Sequence, residues 1–545
     1  MLGKGTMSVF TDRRLSATGG EWAVATPHST ASDVAADVLR GGGNAVDAAL
    51  TAAAMLTVVY PNQCSVGGDL LALVGTADGE VRFVNAGGRA PRAVDVRAMA
   101  DEYERMPVLG ALPVTVPGVV AGWAALADTW GTRPLAAALA PAEAAAREGV
   151  PVAPGLALDL RRERRTLARD PGMLGVFFAD GDVLRAGQSL RQPALARTLA
   201  SIAAQGPSAL YGGDVGVSLV KLLAERGSAM TVEDLAEHTV RLSGTHGAVY
   251  DGVEYLSGGD NSQGLYFLQG LRALDVVRSV RGTLDPLGRD AGVVASVLAQ
   301  AAADRDNFCC DPEWGEAASA DELLSAPYVR RIAERALAGT PVDMVGQRKA
   351  SGDTVAVVVT DRDGTWVSLI QSVFHCFGAA VLDPGTGVVL HNRGASFSLD
   401  PASPNRLAGG KRPLHTLMPV LVREAGALVG AHGVMGGRAQ PQVHTHLALR
   451  LAAGDSVGRA VSAPRWVLGA MEAGVTEGTG TVRAERDVPL PGVRAIEGAG
   501  FSVDLIDAHD DGVGHGQLVR RAGGADGPRL VAATDPRADG SAVAG

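Results

Sequence analysis

Residues 351–360 read SGDTVAVVVT, a short polar turn that passes directly into a run of small and β-branched apolar residues. Gly352 and Asp353 are typical of a turn, and the residues after Thr354 are typical of a buried strand. Taken alone, the stretch predicts only a turn before a core strand. A threonine at the first position of such a strand would, however, become a chain start if the preceding peptide bond were cut. Its free α-amine, with a pKa of about 7.7–8.0, would then be a base beside its own hydroxyl.

A second stretch with chemical potential is GVMGGRAQPQ, residues 433–442, in which Gly436 and Gly437 stand between a predicted strand and a predicted helix. Two consecutive glycines allow backbone N–H groups to face a bound acyl oxygen without obstruction by side chains, as an oxyanion hole requires. The ordinary alternative is a tight strand-to-helix turn, for which glycine pairs are common.

Helix and turn signals surround these two stretches. A helix over residues 33–39 is stopped by three glycines, and Asn44 then caps a second helix that carries Asp47 in its first turn and ends before Pro61. Residues 194–338 show apolar positions every three to four residues and are predicted to be helical. Residues 339–353 lack a period and predict an exposed loop. Three antiparallel hairpins are predicted, with turns at Asp78-Gly79, at Asp363-Gly364 and near Gly426.

The composition excludes several classes of protein. Hydrophobic residues make up 46% and charged residues 20% of the 545 positions, which is typical of a globular protein and not of a disordered or coiled-coil one. Lys and Arg total 49 against 59 for Asp and Glu, so the net charge of −10 offers no overall basic surface for nucleic acid.

Cysteine usage and apolar runs predict a cytoplasmic protein. The 4 cysteines are too few for a disulfide framework, and no secretory signal is visible near the first residues. The longest uncharged, mostly apolar run, residues 48–60, is shorter than the roughly 20 residues that a membrane span needs. Walker and HExxH motifs are absent, and His444 and His446 fall on different helix faces, so neither a metal nor another cofactor is expected.

Ten sequence blocks together resemble the γ-glutamyltransferase family of N-terminal nucleophile hydrolases, and they follow one another over most of the chain. They are GGNAVDAAL (42–50), VVYPNQCSVGGD (58–69), GRAP (88–91), VPGVVAGW (116–123), ADRDNF (303–308), SGDT (351–354), SLIQS (368–372), PGTGVVLHNRGASFSLDP (384–401), GKRPLHTLMP (410–419) and MGGRAQPQ (435–442).

The resemblance implies an α+β fold, a four-layer αββα sandwich with antiparallel sheets between helix layers. It implies a precursor that cuts itself before Thr354, giving a large chain 1–353 and a small chain 354–545 that form one intertwined domain. In this interpretation the Thr354 hydroxyl attacks the Asp353 carbonyl and later the substrate. Ser372 orients the nucleophile, and Gly436 and Gly437 form the oxyanion hole.

Departures from the family pattern fall in the expected substrate pocket. Gly87 stands where typical members place an arginine for the substrate α-carboxylate. Phe374 and Ser396 replace an asparagine and an aspartate that hold the α-amino group, and His415 and Thr416 replace a serine pair. The two charges of a glutamyl donor would thus lose hydrogen bonds of about 1.5–3 kcal/mol each, which argues against a glutathione-type donor.

The variant blocks resemble a side branch that includes oxamate amidohydrolases. Other relatives hydrolyse a carbon–carbon bond and likewise release oxalyl. Both reactions need an anion contact near the nucleophile, for which Arg89, His391 and Arg393 are candidates, with His415 and Thr416 as polar contacts to the acyl group. Each of these could instead be structural, as an arginine that ties loops together or a histidine that is satisfied in a strand.

Three functional hypotheses follow. The first is an autoprocessed threonine hydrolase that acts on an amide of a small acidic substrate, oxamate-like or γ-glutamyl-like. The second is a carbon–carbon bond hydrolase that releases oxalyl in specialised metabolism. The third is an unprocessed, non-catalytic binding protein, since Val355 and Ala356 replace the polar residues that commonly follow the nucleophile. The predicted partners of the protein are its small substrate and, for each of the two chains of the precursor, the other chain. Neither nucleic acid nor a membrane is expected, and both a monomer and a homodimer are compatible with the sequence.

Overall fold

Two seven-stranded antiparallel sheets form the centre of the structure, a computed structural model that describes residues 14–315, 318–342, 353–469, 480–523 and 527–545. The strands in chain order are β1 (Ser16–Gly19), β2 (Ala23–Thr26), β3 (Asp69–Gly75), β4 (Val81–Asn85), β5 (Val150–Pro151), β6 (Phe178–Ala179), β7 (Asp182–Val183), β8 (Ser189–Leu190), β9 (Arg241–Ser243), β10 (His246–Tyr250), β11 (Val253–Ser257), β12 (Asp353–Thr360), β13 (Trp366–Phe374), β14 (Val381–Asp383), β15 (Val388–Leu390), β16 (Val420–Glu424), β17 (Ala427–Met435), β18 (Trp466–Leu468), β19 (Thr481–Glu485), β20 (Ser502–Ile506), β21 (His515–Ala522), β22 (Arg529–Thr534) and β23 (Ser541–Ala544). The helices are α1 (Ser29–Arg40), α2 (Ala45–Val59), α3 (Val96–Glu102), α4 (Val119–Trp130), α5 (Leu135–Glu148), α6 (Pro154–Arg162), α7 (Arg164–Leu167), α8 (Pro171–Phe177), α9 (Pro193–Gln205), α10 (Asp214–Glu225), α11 (Val232–Ala236), α12 (Gly264–Arg281), α13 (Ala291–Phe308), α14 (Ala320–Leu323), α15 (Ala326–Leu337), α16 (Gln440–Ala452), α17 (Val457–Ser462) and α18 (Leu490–Gly498).

The two sheets pack face to face and each carries helices on its outer face. The first sheet has the order β1-β22-β21-β17-β16-β11-β10, and the second has the order β23-β2-β12-β13-β3-β4-β9. Apolar side chains from both sheets fill the space between them. Helices α1, α2, α4 and α5 cover the second sheet, while α12, α13, α15 and α16 cover the first. The predicted four-layer αββα sandwich is therefore confirmed.

Local signals account for the elements nearest the nucleophile. The Asn44 side chain accepts a hydrogen bond from the Asp47 N–H, and the Asp47 carboxylate accepts one from the Asn44 N–H, so a capping box starts α2 as predicted. Every residue of α2 is buried, which fits its alanine-rich body against the second sheet. The three predicted hairpins are confirmed as β3–β4, β12–β13 and β16–β17.

The middle of the chain departs from the sequence prediction. Residues 194–338 were expected to be helical, but they also contain β9, β10 and β11. Strands β10 and β11 form a hairpin whose turn, Asp251 and Gly252, has positive φ angles of 51° and 80°. An Asp-Gly pair is a standard hairpin signal. Because β9 and β10 lie at the edges of their sheets, their half-exposed residues lack the continuous apolar run of a core strand.

Both sheets combine strands from before and after Thr354. In the second sheet β12 lies between β2 and β13, and in the first sheet β16 pairs with β11. The sheets also approach closely, since a Cβ atom at Gly433 of β17 would lie 2.7 Å from the Cβ of Ala356 in β12. The predicted division into chains 1–353 and 354–545 would therefore cut a single interwoven body.

Some sequence predictions fall on parts that cannot be compared. Most of the predicted loop at 339–353 lies outside the described residues. Within the described ranges, no helix is both long and apolar enough to cross a bilayer. The same part of the chain holds no cluster of three or more His, Cys, Asp or Glu side chains arranged for a metal ion.

Candidate active site

The predicted nucleophile lies at one end of the sandwich, where strands from both sheets begin or end. In the second sheet, β12 begins beside the end of β13, and β3 begins with Asp69 directly opposite Ser372. In the first sheet, the end of β17 lies at this same end. Its Leu428 faces Gly75 and its Gly433 faces Ala356, so the chain runs towards Thr354 as it leaves the strand.

Thr354 is fully buried and its hydroxyl is paired. The Thr354 Oγ1 donates a hydrogen bond to Ser372 Oγ at 3.3 Å, and Ser372 Oγ also accepts the Phe374 N–H at 2.7 Å. An irregularity in the β12–β13 pairing between Asp353 and Val355 lets the two hydroxyls meet. The structure thus brings together the predicted nucleophile and the hydroxyl that is predicted to orient it.

Gly436 and Gly437, which we call the oxyanion loop, connect β17 to the short 3₁₀ turn before α16. Their φ angles are 143° and 52°, in the region that favours glycine. The Gly436 carbonyl accepts the Ala439 N–H at 2.8 Å. Within the part of the chain that the structure describes, neither glycine N–H donates a hydrogen bond. Two free N–H groups at a strand-to-helix turn have the form that an oxyanion hole requires.

Beside Ser372, the buried carboxylate of Asp69 gathers three side chains that the sequence nominated. Its Oδ2 accepts hydrogen bonds from His391 Nδ1 at 3.0 Å and from Arg393 Nε at 3.1 Å, and it lies 3.2 Å from His415 Nε2. Its Oδ1 accepts the Gly88 N–H at 3.3 Å. Burial acts to raise the pKa of Asp69, but His391 and His415 outweigh it and hold that pKa well below its usual range. We call these four side chains the Asp69 cluster.

Both histidines of the Asp69 cluster are fully buried and hydrogen-bonded. The second ring nitrogen of His391, Nε2, lies 2.8 Å from the Thr115 carbonyl oxygen. His415 Nδ1 accepts the Leu417 N–H at 3.3 Å. Burial, with the charge of Arg393 adding to it, lowers the pKa of His415 to about 4, so this ring is neutral near pH 7.

Arg393 keeps one nitrogen unused. Its Nη1 donates to Thr416 Oγ1 at 2.9 Å, and its Cζ lies 4.1 Å from the centroid of the Phe374 ring. The Nη2 atom is buried and has no hydrogen-bond partner among the described residues. Burial lowers the pKa of Arg393 to about 10, against the opposing charge of Asp69, so the guanidinium remains charged at neutral pH. A buried cation with a free N–H is suited to an anionic ligand.

Arg89 lies outside the Asp69 cluster. Its guanidinium is about one quarter exposed, pairs with Glu313 at 2.5 Å and donates to the Gly410 carbonyl at 2.7 Å. Its role as a substrate contact stays a prediction.

Two of the departures from the family pattern are built into the packing. A Cβ atom at Gly87 would lie 3.0 Å from His415 Cδ2, so the imidazole occupies space that a larger side chain at position 87 would need. Ser396 Oγ donates to the backbone carbonyls of Arg393 and Leu414, at 2.7 and 2.9 Å. These contacts tie Arg393 to the loop before His415.

Comparison with known proteins agrees with this geometry. The sequence model described as "Gamma-glutamyltranspeptidase" matches residues 31–545. The chain belongs to the γ-glutamyltranspeptidase family. It is 32% identical over 530 residues to a glutathione hydrolase-like YwrD proenzyme of Bacillus subtilis, covering 96% of this chain and 98% of the relative. It is 32% identical over 528 residues to an oxamate amidohydrolase proenzyme of Klebsiella pneumoniae, covering 95% and 97%.

Solved structures extend the comparison to the whole fold. The cephalosporin acylase from Bacillus halodurans superposes with a TM-score of 0.87 at 30% sequence identity, covering 100% of this chain and 99% of the other. Relatives with hydrolase and acylase names establish this member of the γ-glutamyltranspeptidase family as an enzyme, and their proenzyme names support a cleaved precursor.

Sequence reasoning missed two residues of this family member's site. Asp69 closes the block VVYPNQCSVGGD, but an acid at a strand start has no motif, and its partners His391 and Arg393 are more than 300 positions away. Gln263, which contacts the carbonyl oxygens of Thr416 and Gly437, lies in a stretch interpreted only as helical. A buried glutamine carries no sequence signal of its own for such a contact.

Proposed function

We propose that this protein is an autoprocessed threonine hydrolase that cleaves an amide bond in a small acidic substrate through an acyl-enzyme. The observation that carries the proposal is the unpartnered Nη2 of Arg393, a buried cation whose partner Asp69 lies opposite Ser372 in the strand register. A carboxylate on the substrate would supply the missing partner.

Self-cleavage comes first in this mechanism. The Thr354 hydroxyl attacks the Asp353 carbonyl carbon, and the peptide bond between the two residues gives way to an ester on Oγ1 as the nitrogen takes up a proton. That step frees the Thr354 α-amine, and water then hydrolyses the ester to release the α-carboxylate of Asp353 and restore the Thr354 hydroxyl. The hydrogen bond to Ser372 holds the hydroxyl for this attack.

Turnover uses the same hydroxyl with the new amine as its base. The Thr354 Oγ1 attacks the substrate amide carbon and its proton passes to the α-amine, while the N–H groups of Gly436 and Gly437 receive the developing negative charge. The leaving nitrogen takes the proton from the amine. Water, deprotonated in turn by the amine, hydrolyses the acyl-enzyme and restores the Thr354 hydroxyl.

The spacing of the site favours a short acyl group. Strands β12 and β3 flank β13, so the backbones of Thr354 and Asp69 are about 10 Å apart. The Thr354 hydroxyl bonds Ser372 within that distance, and Arg393 binds the Asp69 carboxylate. We therefore propose an acyl group with its carboxylate close to the reacting carbonyl, as in the oxalyl unit.

The test measures ammonia and oxalate from oxamate, and p-nitroaniline from γ-glutamyl-p-nitroanilide, with Thr354→Ala as the inactive control. We expect oxamate turnover by wild-type protein that migrates as two fragments on a denaturing gel, with N-terminal sequencing of the smaller one starting at Thr354. Faster turnover of the γ-glutamyl substrate would contradict the assignment of a short, oxalyl-like acyl group. A single uncut chain that turns over substrate would contradict the mechanism.

The same experiment separates the other hypotheses. An oxalyl ketone that yields oxalate while oxamate yields no ammonia would identify a carbon–carbon bond hydrolase, which uses the same nucleophile and anion contact. Uncut protein that binds the acid without turnover would identify a non-catalytic binding protein. The mass of an acyl adduct trapped on Thr354 would name the acyl group directly.

A further inference from the structure

We propose that Gln263 is a positioning residue that fixes the oxyanion loop relative to His415 and Thr416, an inference that rests on the proposed function. The three segments come from distant parts of the chain and meet at this one fully buried side chain. We call His415 and Thr416 the acyl loop.

The amide of Gln263 spans the two loops. Its Nε2 donates hydrogen bonds to the Thr416 carbonyl at 2.5 Å and to the Gly437 carbonyl at 2.7 Å. Its backbone N–H donates to the His415 carbonyl at 3.1 Å. Its Oε1 accepts Arg305 Nη1 at 3.2 Å. All the polar groups of the side chain are therefore engaged, and both loops depend on the same nitrogen.

Arg305 anchors this bridge to helix α13. Its Nη1 also donates to the Arg438 carbonyl at 3.1 Å, and its Nε donates to Asp306 Oδ1 at 3.0 Å. The Arg438 guanidinium pairs with the same carboxylate. Burial acts to raise the pKa of Asp306, but the two arginines outweigh it and hold that pKa below its usual value. The peptide after the oxyanion loop is thus held on two consecutive carbonyls, those of Gly437 and Arg438.

The oxyanion loop needs external support because glycine imposes little restraint on its own backbone. The Ala439 N–H holds the Gly436 carbonyl, and Gln263 holds the Gly437 carbonyl. Because each peptide plane joins a carbonyl to the N–H of the next residue, the Ala439 bond orients the Gly437 N–H, and the Gln263 bond fixes the following peptide, at which the loop ends. Donors that are already aimed at the developing charge need no reorganisation during the reaction.

The acyl loop connects the same glutamine to the anion contact. The Thr416 carbonyl accepts a hydrogen bond from Gln263 Nε2, and the Thr416 hydroxyl oxygen accepts one from Arg393 Nη1. Gln263 thereby sets the distance between the guanidinium that holds the substrate carboxylate and the N–H groups that hold the reacting oxygen. An error in that distance misplaces the transition state more than it weakens substrate binding.

Two variants test the positioning role by kinetics. Gln263→Met keeps the length of the side chain but none of its hydrogen bonds, and the milder Gln263→Asn keeps an amide that is one methylene too short to reach both carbonyls. We expect kcat to fall about 10–100-fold in Gln263→Met and less in Gln263→Asn, with KM within about threefold of wild type. The control is Gln269→Met in the same helix region, since Gln269 is buried and donates to the Leu323 carbonyl.

A measurement without substrate distinguishes failure of this inference from failure of the proposed function. Hydrogen exchange followed by mass spectrometry compares peptides containing Gly436 and Gly437 with peptides containing His415 and Thr416. Faster exchange in both, in the Gln263 variants but not in Gln269→Met, would support the bridge even if the wild type left every acidic amide intact. Unchanged exchange, exchange that rises in one loop alone, or a raised KM with unchanged kcat would overturn it.

Discussion

The two ends of the candidate active site consist of different chemical groups. At the acyl end, the Asp69 cluster collects charged and polar side chains from three distant segments, and its arrangement depends on electrostatics in a buried setting. At the other end, the oxyanion loop consists of backbone alone, and its arrangement depends on the conformation of two glycines. The comparison indicates that charge-altering substitutions should act on the acyl end and conformational ones on the oxyanion end.

Removal of the nucleophile should have the largest effect because both ends serve it. Thr354→Ala is expected to abolish processing and turnover together, since the same hydroxyl performs both steps. Thr354→Ser keeps a hydroxyl and should retain part of each. Denaturing gels and product assays on the same preparations provide the measurement. Fragments of normal size from Thr354→Ala would show that another residue cuts the chain.

A methyl group in the oxyanion loop should disturb the oxyanion end of the site and leave the acyl end unchanged. At Gly436 the φ angle of 143° is closed to alanine, although the nearest neighbouring atom would be 3.6 Å from the new Cβ, so the substitution acts through the backbone and not through a clash. Gly436→Ala should lower kcat about 10²–10³-fold, the cost of losing one oxyanion donor. Gly20→Ala is the matched control, because a Cβ there meets no atom within 4 Å. Wild-type kcat in Gly436→Ala would remove the loop from the mechanism.

At the acyl end, a change of cation should alter substrate selection. Arg393→Lys retains the charge, but its single nitrogen cannot occupy the separate positions from which Nε contacts Asp69, Nη1 contacts Thr416 and Nη2 would contact the substrate. Loss of one charge-assisted hydrogen bond, about 1.5–3 kcal/mol, should reduce kcat/KM for acidic amides roughly 10–100-fold. Neutral amides should be little affected. Arg97→Lys serves as the control because the Arg97 side chain is 93% exposed. Equal losses on acidic and neutral amides would indicate a structural role only.

The smallest expected effect is that of pH through His415. It changes the stability of the fold and should hardly change turnover. The folded pKa of His415, about 4, lies below the ordinary value of 6.5, so between these values the unfolded chain binds the proton and the folded chain does not. The free energy of unfolding should therefore rise with pH through this window by about 1.4 kcal/mol per pH unit from this residue, on the order of 3 kcal/mol in total.

Urea unfolding of wild type and His415→Gln at several pH values tests this linkage. The difference in unfolding free energy between the two proteins should change between pH 4 and 6.5 and stay constant above it. His509→Asn, at an exposed position, should follow the wild type throughout. A constant difference across the whole range would mean that His415 is not held neutral by burial.

The sequence predicted those features that depend on local chemistry. The capping box at Asn44 and the Asp-Gly turns at positions 78 and 363 depend on neighbouring residues and were found where expected. The nucleophile and its Ser372 partner lie on one hairpin, so their meeting follows from strand register. The roles assigned to them stay predictions until they are measured.

Features that depend on distant contacts could not be predicted. Asp69 contacts residues on two other segments, and Gln263 donates hydrogen bonds to backbone carbonyls on loops more than 150 positions away. The edge strands β9 and β10 were missed because their polar, half-exposed residues show no marked apolar period. Tertiary pairing, not intrinsic propensity, determines their structure.

Because strands from both sides of Thr354 share the same sheets, cleavage there would change how the protein unfolds and refolds. After a cut there, the two pieces would stay joined by sheet hydrogen bonds and a shared interior, and the native state would persist as a heterodimer. Once it is unfolded, however, the pieces diffuse apart, and recovery becomes a second-order encounter between chains that first folded as one. Cleavage would thus make unfolding irreversible, and the lifetime of the native protein would depend on its rate of unfolding.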